Sequence, residues 1–252
     1  MELLSPAMDV VAYDRRGFGE TLYEPEQHDQ VVDLLAVVDA LAADTPAVDN
    51  SAADTPADDN SAAGAVVLVG NSMGGRIALD FTLAHPARVA ALVLIAPAVS
   101  GAPVAGDDDV DATEAAIWET LEAADAAGAL DALNLGEIRF WVDGPHAPEG
   151  RVDGPLRQLA LEMNRIALHA ESPGHEPEPP EAWTRLSEVQ CPVLVVVGDL
   201  DMGHLQQRCR EIATRIAGAR LHVMEGTAHL PAFEQPAVFT DVLRGFLAHI
   251  PD

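Results

Sequence analysis

The sequence predicts an α/β chain: a doubly wound, mostly parallel sheet interrupted by a helical insertion. Three observations predict it. Short aliphatic runs at 9–13, 66–69, 92–95 and 193–197 have the length and branching of strands buried on both faces. The segments between them space apolar residues as a helix does. One long region, 97–186, breaks this alternation, with helical patterns and no buried-strand pattern.

The elements follow in order. Residues 9–13 read as a short buried strand that runs into a glycine-bearing loop, 14–21. Val31, Val32, Leu34, Leu35, Val38 and Leu41 then mark the apolar side of a helix. Residues 44–53 recur almost unchanged as 54–63, with Val48 replaced by Asp58. Pro, Asp, Asn, Ser and Ala without large apolar residues cannot offset chain entropy by burial, so this repeat reads as a disordered surface insertion. The run 66–69 is the next strand, followed at once by a helix with Ile77, Ala78 and Phe81 on one side. After the strand at 92–95 comes the insertion, with an acidic loop at 107–109 and helices around 114–127 and 156–169. Between the helices lies an apolar piece, Ile138, Phe140, Trp141 and Val142, and after them a Pro-rich link at 173–180. A strand at 192–197, a helix near 205–216, a strand at 220–224 and a last helix near 236–249 complete the sheet. The core is therefore expected at 1–96 and 187–252, with a helical cap at 97–186.

Composition bounds the function. A chain of 252 residues with 48% hydrophobic residues can bury a full core. No apolar run approaches the ~20 residues that span a bilayer, and the first residues lack a secretion signal's basic start and apolar core. Cys191 and Cys209 make neither a disulfide framework nor a metal site. These features predict a cytoplasmic protein. Net charge is −27, from 41 acidic against 14 basic residues, and every basic residue is Arg. Such a surface repels nucleic acid and anionic membranes. It also suits a halophile, because concentrated salt screens the self-repulsion.

Gly70-Asn71-Ser72-Met73-Gly74 stands where the strand at 66–69 turns into a helix. Gly-x-Ser-x-Gly in that context is a nucleophile elbow: the tight turn lifts the Ser72 hydroxyl to the carboxyl end of the sheet, above a helix N-terminus. Gly70 and Gly74 are expected where strand and helix pass too close for side chains. Ser72 needs a base, and the base needs an orienting acid. His229, directly after the last strand, fits the base better than His204, and the other histidines lie elsewhere. After the strand at 192–197 stand Asp199 and Asp201; Asp201, further round the turn, is favoured as the acid.

Four pieces of this chain resemble motifs of the α/β-hydrolase family. They are Tyr13-Asp14-Arg15-Arg16-Gly17-Phe18-Gly19, Gly70-Asn71-Ser72-Met73-Gly74-Gly75, Gly198-Asp199-Leu200-Asp201 and Gly226-Thr227-Ala228-His229-Leu230-Pro231. The resemblance covers nearly the whole chain apart from the repeat and the cap. It implies a Ser72–Asp201–His229 triad, with the Met73 N–H as an oxyanion donor. Family members carry further strands and a His-Gly loop, the source of a second donor, ahead of the first motif. That motif begins here at residue 13, so the sequence as given predicts an N-terminally truncated core with one donor. Removing one such donor typically costs ~2.7–4 kcal/mol.

The expected function is hydrolysis of a small carboxylic ester or lactone, without metal or cofactor. Phe140 and Trp141 are candidates for an apolar substrate-binding wall above Ser72. Two alternatives stand beside it. The Gly70–Gly75 motif also resembles the C–C bond hydrolases of ring-cleavage products, although those usually place Trp after the catalytic histidine, where this chain has Leu230. A catalytically impaired, incomplete fold would instead expose a sheet edge and form a homodimer through it.

Overall fold

The computed structural model describes residues 8–19, 21, 23–24, 26–44, 64–104, 106 and 110–250. The repeat, apart from Asp44, and the acidic loop at 107–109 lie outside the described residues. In chain order the elements are β1 (Glu26–Gln27), α1 (Gln30–Asp44), β2 (Val66–Asn71), α2 (Met73–Ala84) and β3 (Val89–Ile95). The insertion supplies α3 (Ala112–Ala126), α4 (Leu130–Ile138), a π-helical turn (Arg139–Asp143), α5 (Gly154–His169) and β4 (Gly174–His175). The chain then forms α6 (Ala182–Arg185), β5 (Val193–Gly198), α7 (Gly203–Arg215), β6 (Arg220–Met224), α8 (Pro231–Glu234) and α9 (Pro236–Leu247).

Four strands make an all-parallel sheet in the order β2-β3-β5-β6. Side chains alternate across it and build two cores. Leu68, Leu92, Leu94, Val193, Val195 and Val197 face α1, α2 and α7, where Val38, Phe81 and Ile212 meet them. Ala91, Val93, Ile95, Leu194 and Val196 face Phe239, Leu243 and Phe246 of α9. Helices on both faces make the predicted doubly wound α/β fold.

Two expectations are corrected. Residues 9–13 form no strand; Val11 is 55% exposed and Tyr13 39%. Aliphatic residues become a strand only where a neighbouring strand offers a ladder, and among the described residues none pairs with this run. In addition, β2 is not buried on both faces. Its register with β3 puts Val67 and Val69 on the α9 side. They are 39% and 47% exposed there, because α9 covers β3, β5 and β6 and leaves β2 open. Among the described residues β2 is also an edge strand. A shorter parallel pair, β1 with β4, ties the Pro-rich link to the segment before α1.

The insertion contains a helix that the sequence analysis left out. α4 packs against both α3 and α5. Leu121, Leu133 and Phe140 meet Met202 and Leu205, so this region shares a core with the start of α7. No described helix is long and apolar enough to cross a membrane.

Candidate active site

The elbow is built locally. Ser72 has φ 51°, a left-handed conformation that costs an ordinary residue of order 1–3 kcal/mol and persists only when its surroundings enforce it. They do so here. The Ser72 N–H donates to the Ile95 carbonyl at 2.9 Å, and the Ser72 carbonyl accepts from Arg76 at 3.1 Å and Ala98 at 3.0 Å. A side chain on Gly70 would overlap the Gly74 carbonyl, as the close approach of strand and helix predicts. For Gly74 the expectation is corrected: a Cβ there would meet open space. The second tight position is Gly75, whose Cβ would lie 2.7 Å from the Pro97 side chain. The helix has turned by then, so Gly75 and not Gly74 faces the end of β3. Met73 opens α2, and like any first helical N–H its own has no carbonyl one turn back.

The other half of the site comes from the ends of β5 and β6. His229 Nδ1 lies 3.0 Å from Asp201 Oδ2, and their side chains are 7% and 1% exposed. An ionised carboxylate only accepts, so this contact puts the proton on Nδ1 and leaves Nε2 as the basic nitrogen. The other Asp201 oxygen accepts from the Met202 N–H at 2.9 Å. Asp199 is engaged elsewhere: its Oδ1 accepts from the Gly226 N–H at 2.7 Å, closing the β6 turn. The sequence therefore offered two carboxylates, and the fold brings only Asp201 to His229. His204 lies in the first turn of α7 and lines a surface groove with Pro103 and Trp183.

Asn71 joins the two halves, and the sequence analysis gave it no role. Its Nδ2 donates to the Ile95 carbonyl at 3.0 Å and to the His229 carbonyl at 3.2 Å, so the residue before Ser72 holds the loop that carries the histidine. Only its place beside the serine could have drawn attention to it.

The insertion grips the same loop. The His229 N–H donates to the Trp141 carbonyl at 3.1 Å, and the rings of Trp141 and His229 lie 4.7 Å apart. Phe140 does not line an open wall: it is buried between Trp118 and Trp141. Arg151 donates to the Val142, Asp143 and Gly226 carbonyls and pairs with Glu234. Glu234 in turn accepts from the Ala228 and Leu230 N–H groups on either side of the histidine. Beneath them, fully buried Asp143 pairs with Arg157 at 2.8 Å and accepts from the Gly150 and Val152 N–H groups.

Burial pushes the Cys209 thiol up to about 12, which keeps it protonated and inert. Asp111, Glu114 and His146 bring their ligand atoms within 4.8 Å of one another. These atoms already have partners: Asp111 caps α3 and pairs with His146, and Glu114 accepts from the Gly203 N–H at 3.3 Å. Glu114 thereby ties α3 to the start of α7.

Comparison with known proteins agrees with this architecture. The chain is 27% identical over 196 residues to a putative 2-succinyl-6-hydroxy-2,4-cyclohexadiene-1-carboxylate synthase of Bacillus subtilis, a match covering 73% of this chain and 66% of that protein. It is 26% identical over 184 residues to a 2-hydroxy-6-oxononadienedioate/2-hydroxy-6-oxononatrienedioate hydrolase of Klebsiella pneumoniae, covering 73% and 62%. The matches thus span just under two thirds of these curated relatives. Among solved structures, a thermophilic esterase from Thermogutta terrifontis superposes with a TM-score of 0.62 at 21% identity, over 93% of this chain and 78% of that one. The model of the alpha/beta hydrolase family matches residues 1–242, and the chain belongs to that family.

Proposed function

We propose that this chain is a serine hydrolase that cleaves small carboxylic esters or lactones. The observation that carries the reading is the buried His229–Asp201 contact, on a loop bonded to Asn71, the neighbour of the strained Ser72. Ser72 Oγ attacks the ester carbonyl carbon while His229 Nε2 takes its proton. Asp201 holds the imidazole in the required tautomer and stabilises its cation. The negative charge on the former carbonyl oxygen is met by the Met73 N–H at the start of α2. Collapse breaks the carbon–oxygen bond, and His229 gives its proton to the departing alkoxide. Water then attacks the acyl carbon, gives a proton to His229, and releases the acid; that proton returns to Ser72 Oγ. The insertion at 97–186 covers the site as a cap.

A fluorophosphonate probe is expected to label the wild-type protein at Ser72 and to leave Ser72→Ala unlabelled. A folded wild-type protein that neither takes the probe nor hydrolyses p-nitrophenyl acetate overturns the proposal.

A second reading, C–C bond hydrolysis of a ring-cleavage product, is favoured by the relatives acting on oxononadienedioate-type compounds. There water adds across a carbon–carbon bond, one fragment leaving as an acid and the other gaining a proton. Turnover of a vinylogous diketone without turnover of p-nitrophenyl esters would select this reading.

A further inference from the structure

One contact between insertion and site reaches His229 itself and involves a residue that takes no part in the proposed reaction steps. Trp141 meets His229 twice, through its carbonyl to the histidine N–H at 3.1 Å and through its ring, 4.7 Å from the imidazole at 46°. The ring is itself held. Phe140 meets it edge-on at 5.0 Å and 79°, and Trp118 lies 5.8 Å beyond Phe140, so three rings run from α3 to the imidazole. The backbone is held as well. Gly144, just past the π-helical turn, has φ 89°, and a Cβ there would meet the Leu200 carbonyl and the Ala228 side chain. The turn is therefore wedged between the Asp201 loop and the His229 loop.

An imidazole bonded only through Nδ1 can still rock about that bond, and a base that rocks spends less time aimed at the serine. Asp201 supplies one restraint through Nδ1, and the indole, tilted against the imidazole at 4.7 Å, limits the rocking that remains. We propose that Trp141 is a positioning residue that holds His229 in the orientation needed to take the Ser72 proton. This inference rests on the serine-hydrolase reading and assigns Trp141 a role distinct from a substrate wall.

The test uses Trp141→Met, which fills the space without a flat ring, and Trp141→Phe, which keeps one. The probes are p-nitrophenyl acetate and p-nitrophenyl octanoate. Aromatic pairing of this kind predicts that W141M lowers kcat about 3- to 10-fold on both esters, with KM changed by less than about twofold. W141F is expected to restore most of kcat. In proton NMR, the His229 ring signals, assigned by their loss in His229→Gln, should move when the indole is removed. They should move less in W141F than in W141M. Melting temperatures separate a folding defect from these effects, and if W141M does not fold, Trp141→Leu, which also lacks a flat ring, is read in its place. An active wild type whose W141M keeps kcat overturns the positioning role alone. So does a loss confined to KM and graded by acyl length, which would make Trp141 a pocket wall. A wild type inert toward both esters and the fluorophosphonate overturns the hydrolase reading and takes the positioning role with it.

Discussion

The two halves of the candidate site are held in different ways. The elbow is a local device. Gly70, Ser72 and Gly75 lie within one turn, and its strain is contained by bonds to the end of the neighbouring strand. Among the described residues it stands on the edge strand of the sheet, with Val67 and Val69 open to solvent on one face. The histidine loop is a long-range device. Asp201, Asn71, Trp141 and Arg151 reach it from distant parts of the chain, and Glu234 holds it from the helix that follows. A nucleophile needs one strained residue in the right place. A base needs its direction fixed, and a loop has no ladder of its own to fix it.

This contrast predicts unequal responses to substitution. The largest effect is expected at the histidine. Asp201→Asn offers His229 the wrong hydrogen-bonding partner and should lower kcat by on the order of 10⁴. Asp199→Asn, which touches only the β6 turn, should change kcat far less. Equal losses in the two variants, measured on p-nitrophenyl acetate, would remove the distinction between the two carboxylates.

Next comes the support beneath the histidine loop. Arg157→Met leaves the buried Asp143 carboxylate without its ion pair and should destabilise the fold by about 3–5 kcal/mol in urea unfolding. A loss below about 1 kcal/mol, the range of an exposed pair, would mean that Asp143 is held by its backbone donors alone.

At the elbow the expected changes are smaller and differ in sign. Gly70→Ala forces a methyl group against the Gly74 carbonyl and should cost about 1–3 kcal/mol, as overpacking does. Gly74→Ala, on an open helical position, should instead stabilise α2 by about 0.5–1 kcal/mol. Thermal melts of the pair test whether crowding sits at one glycine or is spread over the motif.

The smallest effect is a pH dependence in α2. Burial pushes the Asp80 carboxyl up, and the Ser100 hydroxyl, donating at 2.9 Å, draws it part of the way back. The native chain therefore holds this proton more tightly than the unfolded chain. Stability from this group is present below the ordinary carboxylate value of 3.8 and is lost as pH rises through the raised one. Asp80→Asn removes that loss. Its melting temperature should match the wild type in acid and exceed it increasingly as pH rises through the carboxylate range. A gap that does not change with pH would show that Asp80 is not the titrating group.

What the sequence determined by itself was whatever depends on near neighbours. The period of the aliphatic runs gave the α/β alternation, because a strand between two helical layers is apolar at every position. Gly-x-Ser-x-Gly at a strand-to-helix junction located the elbow, and the order of strand ends offered His229 and two aspartates. Only the tertiary structure decided the rest. Residues 9–13 centre on a short aliphatic run, Val10 to Ala12, and form no strand, because a strand exists only by pairing. The motif could not say whether Gly74 or Gly75 is the crowded position, since that depends on where the end of β3 falls. Asp201 and Asp199 stand two residues apart, and the choice between them came from β6, which brings Gly226 to one and His229 to the other. Nothing in the sequence pairs Asn71 or Trp141 with His229, because those contacts cross 158 and 88 positions of chain. Such contacts depend on how the sheet and the insertion pack, and local sequence does not record that packing.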